Sequence, residues 1–240
     1  ESAQTYQTLF WVAFVPAVIS VLVLTRITDQ PGAPHERESI SQNWQALSPA
    51  FKRFLLPAGI FALAYFSLGF LLLKAHDAGF SVAQIVLLYA LFNTTCVMAA
   101  PLVGKLGDRV GRSRIIVLGY TLYGLINLGL IFATSRWEIT VAFAFYGFFY
   151  SIDESQSKAF IADLEPERRA TAVGVYNFVT GMLYLPASLV AGALWTVSPG
   201  LALGLAAGLS LAAIVVFGFM RPTPVNASTP QSQPPSPVHR

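Results

Sequence analysis

Apolar residues in this chain come in long unbroken runs, separated by short polar stretches. Seven runs are readable, at roughly Thr8–Thr25, Phe51–Leu73, Val82–Val103, Ile115–Thr134, Ile139–Ile161, Thr171–Thr196 and Leu201–Met220. Each approaches or exceeds the ~20 residues an α-helix needs to cross a bilayer. The pattern predicts an all-α membrane protein with seven transmembrane helices. The fifth run is the most interrupted, because "SIDESQSK" breaks it at 151–158.

The polar stretches are unequal. Residues 26–50 form a polar linker with prolines at 31, 34 and 49, whereas the six later spans are joined by tight loops. Residues 222–240 are rich in Pro and Ser and have no apolar pattern, which predicts a disordered tail. The organisation expected is a first transmembrane helix at 1–25, a linker at 26–50, a block of six helices at 51–221 and the tail at 222–240.

The basic residues orient this arrangement. Alternate connections hold Arg26, Arg37, Lys52 and Arg53, then Lys105, Arg109, Arg112 and Arg114, then Arg168 and Arg169, then Arg221 and Arg240: twelve of fifteen. The opposite connections hold Lys74 and Arg136, and Lys158 lies within a span. By the positive-inside rule the first group is cytoplasmic, so the N-terminus is outside and the linker and tail are inside.

Composition agrees with a lipid environment: hydrophobic residues make up 55% and charged residues 11%, with a mean hydropathy of +0.59. The net charge of +3 is explained by orientation, so no nucleic-acid partner is expected. A single cysteine, Cys96, within an apolar run excludes an internal disulfide. His35, His76 and His239 have no metal-ligand spacing, and neither a P-loop nor a nucleophile elbow is present, so no metal, cofactor or enzymatic chemistry is expected. No signal peptide is visible in the opening residues, and an outside N-terminus without one is what a piece of a longer protein would show.

One polar stretch is chemically specific. "GKLGDRVGRSR" at 104–114 joins two spans, and its glycines at 104, 107 and 111 permit tight turning and positive φ. Its cations suffice as an orientation anchor, but Asp108 at its centre does nothing for orientation. The order G-x-L-G-D-R-x-G-R-x-R resembles the G-x-L-x-D-R-x-G-R-[RK] signature of the major facilitator superfamily of transporters. "IADLEPERRATAVGVYN" at 161–177 resembles a second cytoplasmic turn of that family.

The resemblance covers about residues 10–220 and implies a C-terminal portion: the sixth helix, the central linker, and a six-helix half-bundle of helices seven to twelve. It implies a missing N-terminal six-helix half as partner, alongside the lipid bilayer, and a location in the bacterial inner (cell) membrane. It also implies a gating motif of Gly104, Asp108, Arg109, Gly111, Arg112, Asp163 and Arg168. Within it Asp108 would meet a helix N-terminus of the opposite half, and Arg112 would pair with Asp163; two solvated loop charges are the alternative.

Ionisable groups inside a span are costly and usually mark function. Asp153, Glu154 and Lys158 lie in the fifth span. Glu154 and Lys158 are four residues apart with the acid first, the favourable order for a helical pair. Gly147, Ser151, Glu154 and Lys158 share one helical face, and Asp153 points about 100° from Glu154. A cavity for substrate and a coupling proton is expected there, with Asn93 and Asn177 as softer contributors. The alternative is a self-neutralised pair that locks packing.

The function implied is part of a secondary transporter moving a small organic solute by alternating access, as proton-coupled efflux. Two rivals stand beside it. A seven-helix receptor shares the topology, and Asp108-Arg109-Val110 resembles the receptor D-R-Y triplet, but the last span lacks N-P-x-x-Y and has no lysine for retinal. A non-transporting remnant is the other.

Overall fold

The computed structural model describes residues 3–26 and 44–222; most of the expected linker and nearly all of the expected tail lie outside the described residues. The chain divides into two compact units, Glu1–Gln42 and Asn43–Arg240. The first contains α1 (Ala3–Leu24), whose apolar stretch Phe14–Val23 is exposed and carries Pro16 within the helix. A helix apolar on all sides finds its favourable surroundings in lipid.

Besides helical residues at 44–46, the second unit holds seven helices among the described residues: α2 (Pro49–Ala64), α3 (Gly69–Asp77), α4 (Val82–Val110), α5 (Arg112–Phe132), α6 (Arg136–Leu164), α7 (Arg169–Val197) and α8 (Pro199–Met220). Five stretches are long and apolar enough to cross a membrane: Pro49–Asp77, which takes in α2 and α3, and the helices α4, α5, α7 and α8. Helix α6 is as long as α4 and α7, and its polar run from Asp153 to Lys158 is what lowers its hydropathy. The chain is an all-α membrane protein, and no strand occurs among the described residues. At 29 residues, α4, α6 and α7 are each roughly 43 Å long, against a hydrocarbon core of about 30 Å. They therefore have turns to spare beyond the lipid.

Helix starts follow local chemistry. Ser48 caps α2, its hydroxyl accepting from the Phe51 N–H at 3.1 Å, with Pro49 at the first helical position. Ser81 and Gln84 form a capping box on α4, and Glu138 accepts from the N–H groups of Thr134 and Ser135 at 2.9 Å ahead of α6.

The expected second span is not continuous. The helix breaks at Tyr65–Leu68, between α2 and α3, without a proline at the break. A break inside a span strands carbonyls that lipid cannot satisfy. The buried Tyr123 hydroxyl of α5 donates to the Ala64 carbonyl at 2.9 Å, which covers one of them. The break therefore depends on a side chain from another helix, and local sequence does not reveal it.

Helix α6 packs most extensively on α4 and also on α5; α5 packs on α8, α8 on α2, and α2 on α7. Around this circuit sits an aromatic core that includes Phe51, Phe54, Phe61, Tyr120, Tyr123, Phe143 and Phe149, all buried. Phe61 stacks on Tyr120 with centroids 3.9 Å apart, and Tyr123 meets Phe149 at 4.8 Å. Three glycines let helices approach closely. A Cβ at Gly147 of α6 would strike the Phe92 carbonyl of α4. One at Gly119 of α5 would lie 2.7 Å from the Ile152 side chain, and one at Gly107 of α4 would strike Gln156. The spacing of Gly200, Gly204 and Gly208 predicts such an approach on α8. The structure corrects this: Gly200 and Gly204 would make only ordinary contacts with Ile131, and Gly208 none. The polar tie on α8 is instead Ser210, whose buried hydroxyl donates to the Tyr120 carbonyl at 2.6 Å.

Candidate functional site

Two polar constellations are built on α6. The first is a cavity of ≈ 200 Å³ between α2, α6 and α7. Helix α6 supplies Asp153, Glu154, Ser157 and Lys158 to its wall. Lys158 and Glu154 form an ion pair one turn apart, half exposed on both sides. Asp153 accepts a hydrogen bond from the Ser157 hydroxyl at 3.4 Å and has no salt bridge among the described residues. Four tyrosines complete the wall: Tyr65 at the α2–α3 break, Tyr150 of α6, and Tyr176 and Tyr184 of α7. The rings of Tyr65 and Tyr184 touch, with centroids 5.4 Å apart. Asn177 and Thr180 of α7 fill in between.

The residues expected at this site divide. Asp153, Glu154, Lys158 and Asn177 come together. Ser151 does not join them: it is buried, outside the cavity lining. Gly147, expected on the same face, packs against the backbone of α4 one to two turns further along. The shared face therefore serves two purposes, packing at one level and lining a cavity at the next. Asn93 is exposed on α4 and donates back to the Tyr89 carbonyl at 2.8 Å, satisfying itself within its own helix. Asn127 is buried and does the same with Tyr123. Sequence reasoning missed Ser157, Thr180, Tyr184 and the break at Tyr65. A signal existed for part of this: Tyr176, Thr180 and Tyr184 recur every four residues, so they share one helical face.

The second constellation lies where α4 ends. The sequence predicts a short loop at 104–114, but α4 is helical through Val110 and α5 begins at Arg112, leaving Gly111 alone as the connection. Gly111 has φ +101°, which L-residues rarely adopt, so glycine is needed there. Gly107 is helical and buried beneath Gln156. Gly104 is also helical, and a Cβ there would meet nothing. These two glycines therefore do not turn the chain.

Arg112 is the hub. Its Nη1 donates to the Ala159 carbonyl at 2.6 Å and to Asp163 Oδ1 at 3.2 Å, and its Nη2 reaches Asp108 Oδ1 at 3.4 Å. The expected Arg112–Asp163 contact is thus present, and it ties α5 to the end of α6 while Asp108 brings in α4. Beside the hub is a cavity of ≈ 380 Å³, bounded by Gly107, Asp108, Ser113 and Phe160 among others. Asp108 keeps 70% of its side-chain surface, leaving room for a further partner. Arg109 is exposed, and Arg168 is half-buried just ahead of α7.

Glu165 was not anticipated. Pro166 disfavours helical backbone at the residue before it, and α6 ends at Leu164. The Glu165 carboxylate, 7% exposed, accepts from the Ser48 N–H at 2.6 Å. It thereby caps α2, where the positive end of the helix dipole favours an anion.

Comparison with known proteins agrees with this architecture. A profile of the Major Facilitator Superfamily matches residues 70–239. Over 202 residues the chain is 30% identical to an uncharacterized MFS-type transporter of Methanocaldococcus jannaschii, covering 81% of this chain and 51% of the relative. The chain belongs to the major facilitator superfamily, and it spans about half the length of the curated relative it matches.

Proposed function

We propose that this chain forms one half of a secondary active transporter, which moves a small organic solute across the cell membrane by alternating access. A second half-bundle, outside this sequence, would face it across a midplane site. The observation that carries this reading is the cavity of Asp153, Glu154, Lys158 and four tyrosines, which α6 shares with two stretches long and apolar enough to cross a membrane, Pro49–Asp77 and α7. Carboxylates within a membrane are expensive, and a solute pathway is their usual reason. Proton-coupled efflux is the form of transport proposed, since an acid in such a cavity can carry a proton through the cycle. Apart from taking up and releasing that proton, the cycle makes and breaks no covalent bond. The end of the bundle with Arg109, Arg112, Arg168 and Arg169 is taken as cytoplasmic, from the basic bias of its connections.

In this reading the Arg112–Asp163 contact belongs to the state closed on the cytoplasmic side and parts when that side opens. Asp108, bonded to Arg112 through Oδ1 and still largely exposed, would accept in addition from a helix terminus of the other half. A receptor reading has less support, because the family relation rests on most of the chain and not on a triplet.

The test uses the full-length protein in liposomes loaded with a pH-sensitive dye, screened with small organic solutes under an imposed pH gradient. Glu154→Gln and Lys158→Met should each abolish solute-dependent proton flux while the protein stays in the membrane at normal levels. Normal flux in both variants would overturn the cavity assignment.

A further inference from the structure

The wall of the α2–α6–α7 cavity has a chemical bias beyond its position. Its one lysine is already paired: Lys158 is held by Glu154 of the same helix. Asp153 lies beside that pair, with the Ser157 hydroxyl at 3.4 Å and no cation within salt-bridge distance among the described residues. The wall therefore presents a net single negative charge. An anionic solute would meet two carboxylates. A neutral solute would leave the Asp153 charge without a partner.

The remaining surface is aromatic. Tyr65, Tyr150, Tyr176 and Tyr184 line the same cavity, and the touching rings of Tyr65 and Tyr184 join α2 to α7 across it. Ring faces carry the negative part of the aromatic quadrupole and attract ammonium and pyridinium groups. A flat, partly apolar cation satisfies both features at once, its charge against Asp153 and its rings against tyrosine. From this juxtaposition we infer that the cavity selects an organic monocation, with Asp153 as counter-ion and the tyrosines as its cage. The inference rests on the transporter reading of the same cavity and adds the class of solute.

The experiment measures equilibrium binding of tritiated N-methyl-4-phenylpyridinium to the full-length protein in lipid nanodiscs. The competitor is biphenyl-4-carboxylate, similar in shape and opposite in charge. The cation should bind at least ten-fold more tightly than the carboxylate. Asp153→Asn should weaken cation binding ten-fold or more, and Asp153→Glu should keep most of it. Tyr184→Phe should stay within about two-fold, because the ring face remains, whereas Tyr184→Leu should lose several-fold. Equal or preferential binding of the carboxylate would overturn the inference. So would absence of cation binding, or cation binding unchanged in an Asp153→Asn variant that unfolds at the wild-type temperature. Flux in the liposome assay separates the two readings. If the carboxylate is driven by a pH gradient, the transporter stands and the cation class falls. If the cation binds at Asp153 but nothing is transported, the cation site stands and the transport reading falls.

Discussion

The two constellations on α6 use the same chemistry in opposite ways. In the cavity, the pair is Glu154 with Lys158, four residues apart on a single helix. At the end of the bundle, Arg112 of α5 holds Asp108 of α4 together with the Ala159 carbonyl and Asp163 of α6. A pair within one helix moves with that helix, so relative movement of helices leaves it intact. A contact that spans three helices changes its length whenever they shift. The first is suited to setting the electrostatics of a site, and the second to reporting or restraining a conformational state.

The comparison breaks most decisively if the cross-helix contact proves indifferent to state. With Cys96 replaced by serine, the Arg112→Cys/Asp163→Cys double variant can be joined by a short bis-methanethiosulfonate, whose disulfide links to both cysteines are reducible. Solute-dependent proton flux should then fall to background and return on reduction; flux that persists through the cross-link would show that this end need not open. Next in size is Glu165→Ala, which removes the acid that caps α2 and leaves the Ser48 N–H without its partner. A loss of about 1–3 kcal/mol is expected for a buried group left unsatisfied. It would be read as a lowered melting temperature in detergent, and an unchanged melting temperature would remove Glu165 from the account. The smallest effect concerns the cavity pair. Both side chains are about half exposed, so solvent screens the attraction. Lys158→Met should destabilise by only about 0.5–1 kcal/mol, and adding Glu154→Gln should recover most of that. Full stability in the double variant without transport would sharpen the view that this pair serves the cavity and not the fold.

Residue patterns alone carried a large part of this. Helix positions were legible because lipid admits few backbone solutions, and a run of twenty apolar residues leaves one that is common. The Arg112–Asp163 contact was legible through the spacing of a family motif. Gly111 could be expected at a positive φ, but Gly107 reads identically in sequence. Only the crossing of α4 over α6, which brings Gln156 against Gly107, separates the two roles. Asn93 and Asn177 also look alike as polar residues within a span, yet Asn93 closes on its own helix while Asn177 lines the cavity. Which way a polar side chain faces depends on neighbours distant in the chain.

The same division runs through the whole molecule. Class, approximate helix boundaries, the bias of basic residues toward one end, and the presence of costly charges in α6 are properties of composition and order. They follow from the transfer of side chains between water and lipid, which each segment undergoes nearly on its own. The break between α2 and α3, the tyrosine wall, the close glycine crossings and the Glu165 cap are properties of packing. Each requires groups from two or more helices to meet at hydrogen-bond or van der Waals distance: Tyr123 with Ala64, Tyr65 with Tyr184, Gly147 with Phe92, Glu165 with Ser48. Such meetings depend on how ridges and gaps on separate helices fit together, and no single segment contains that information.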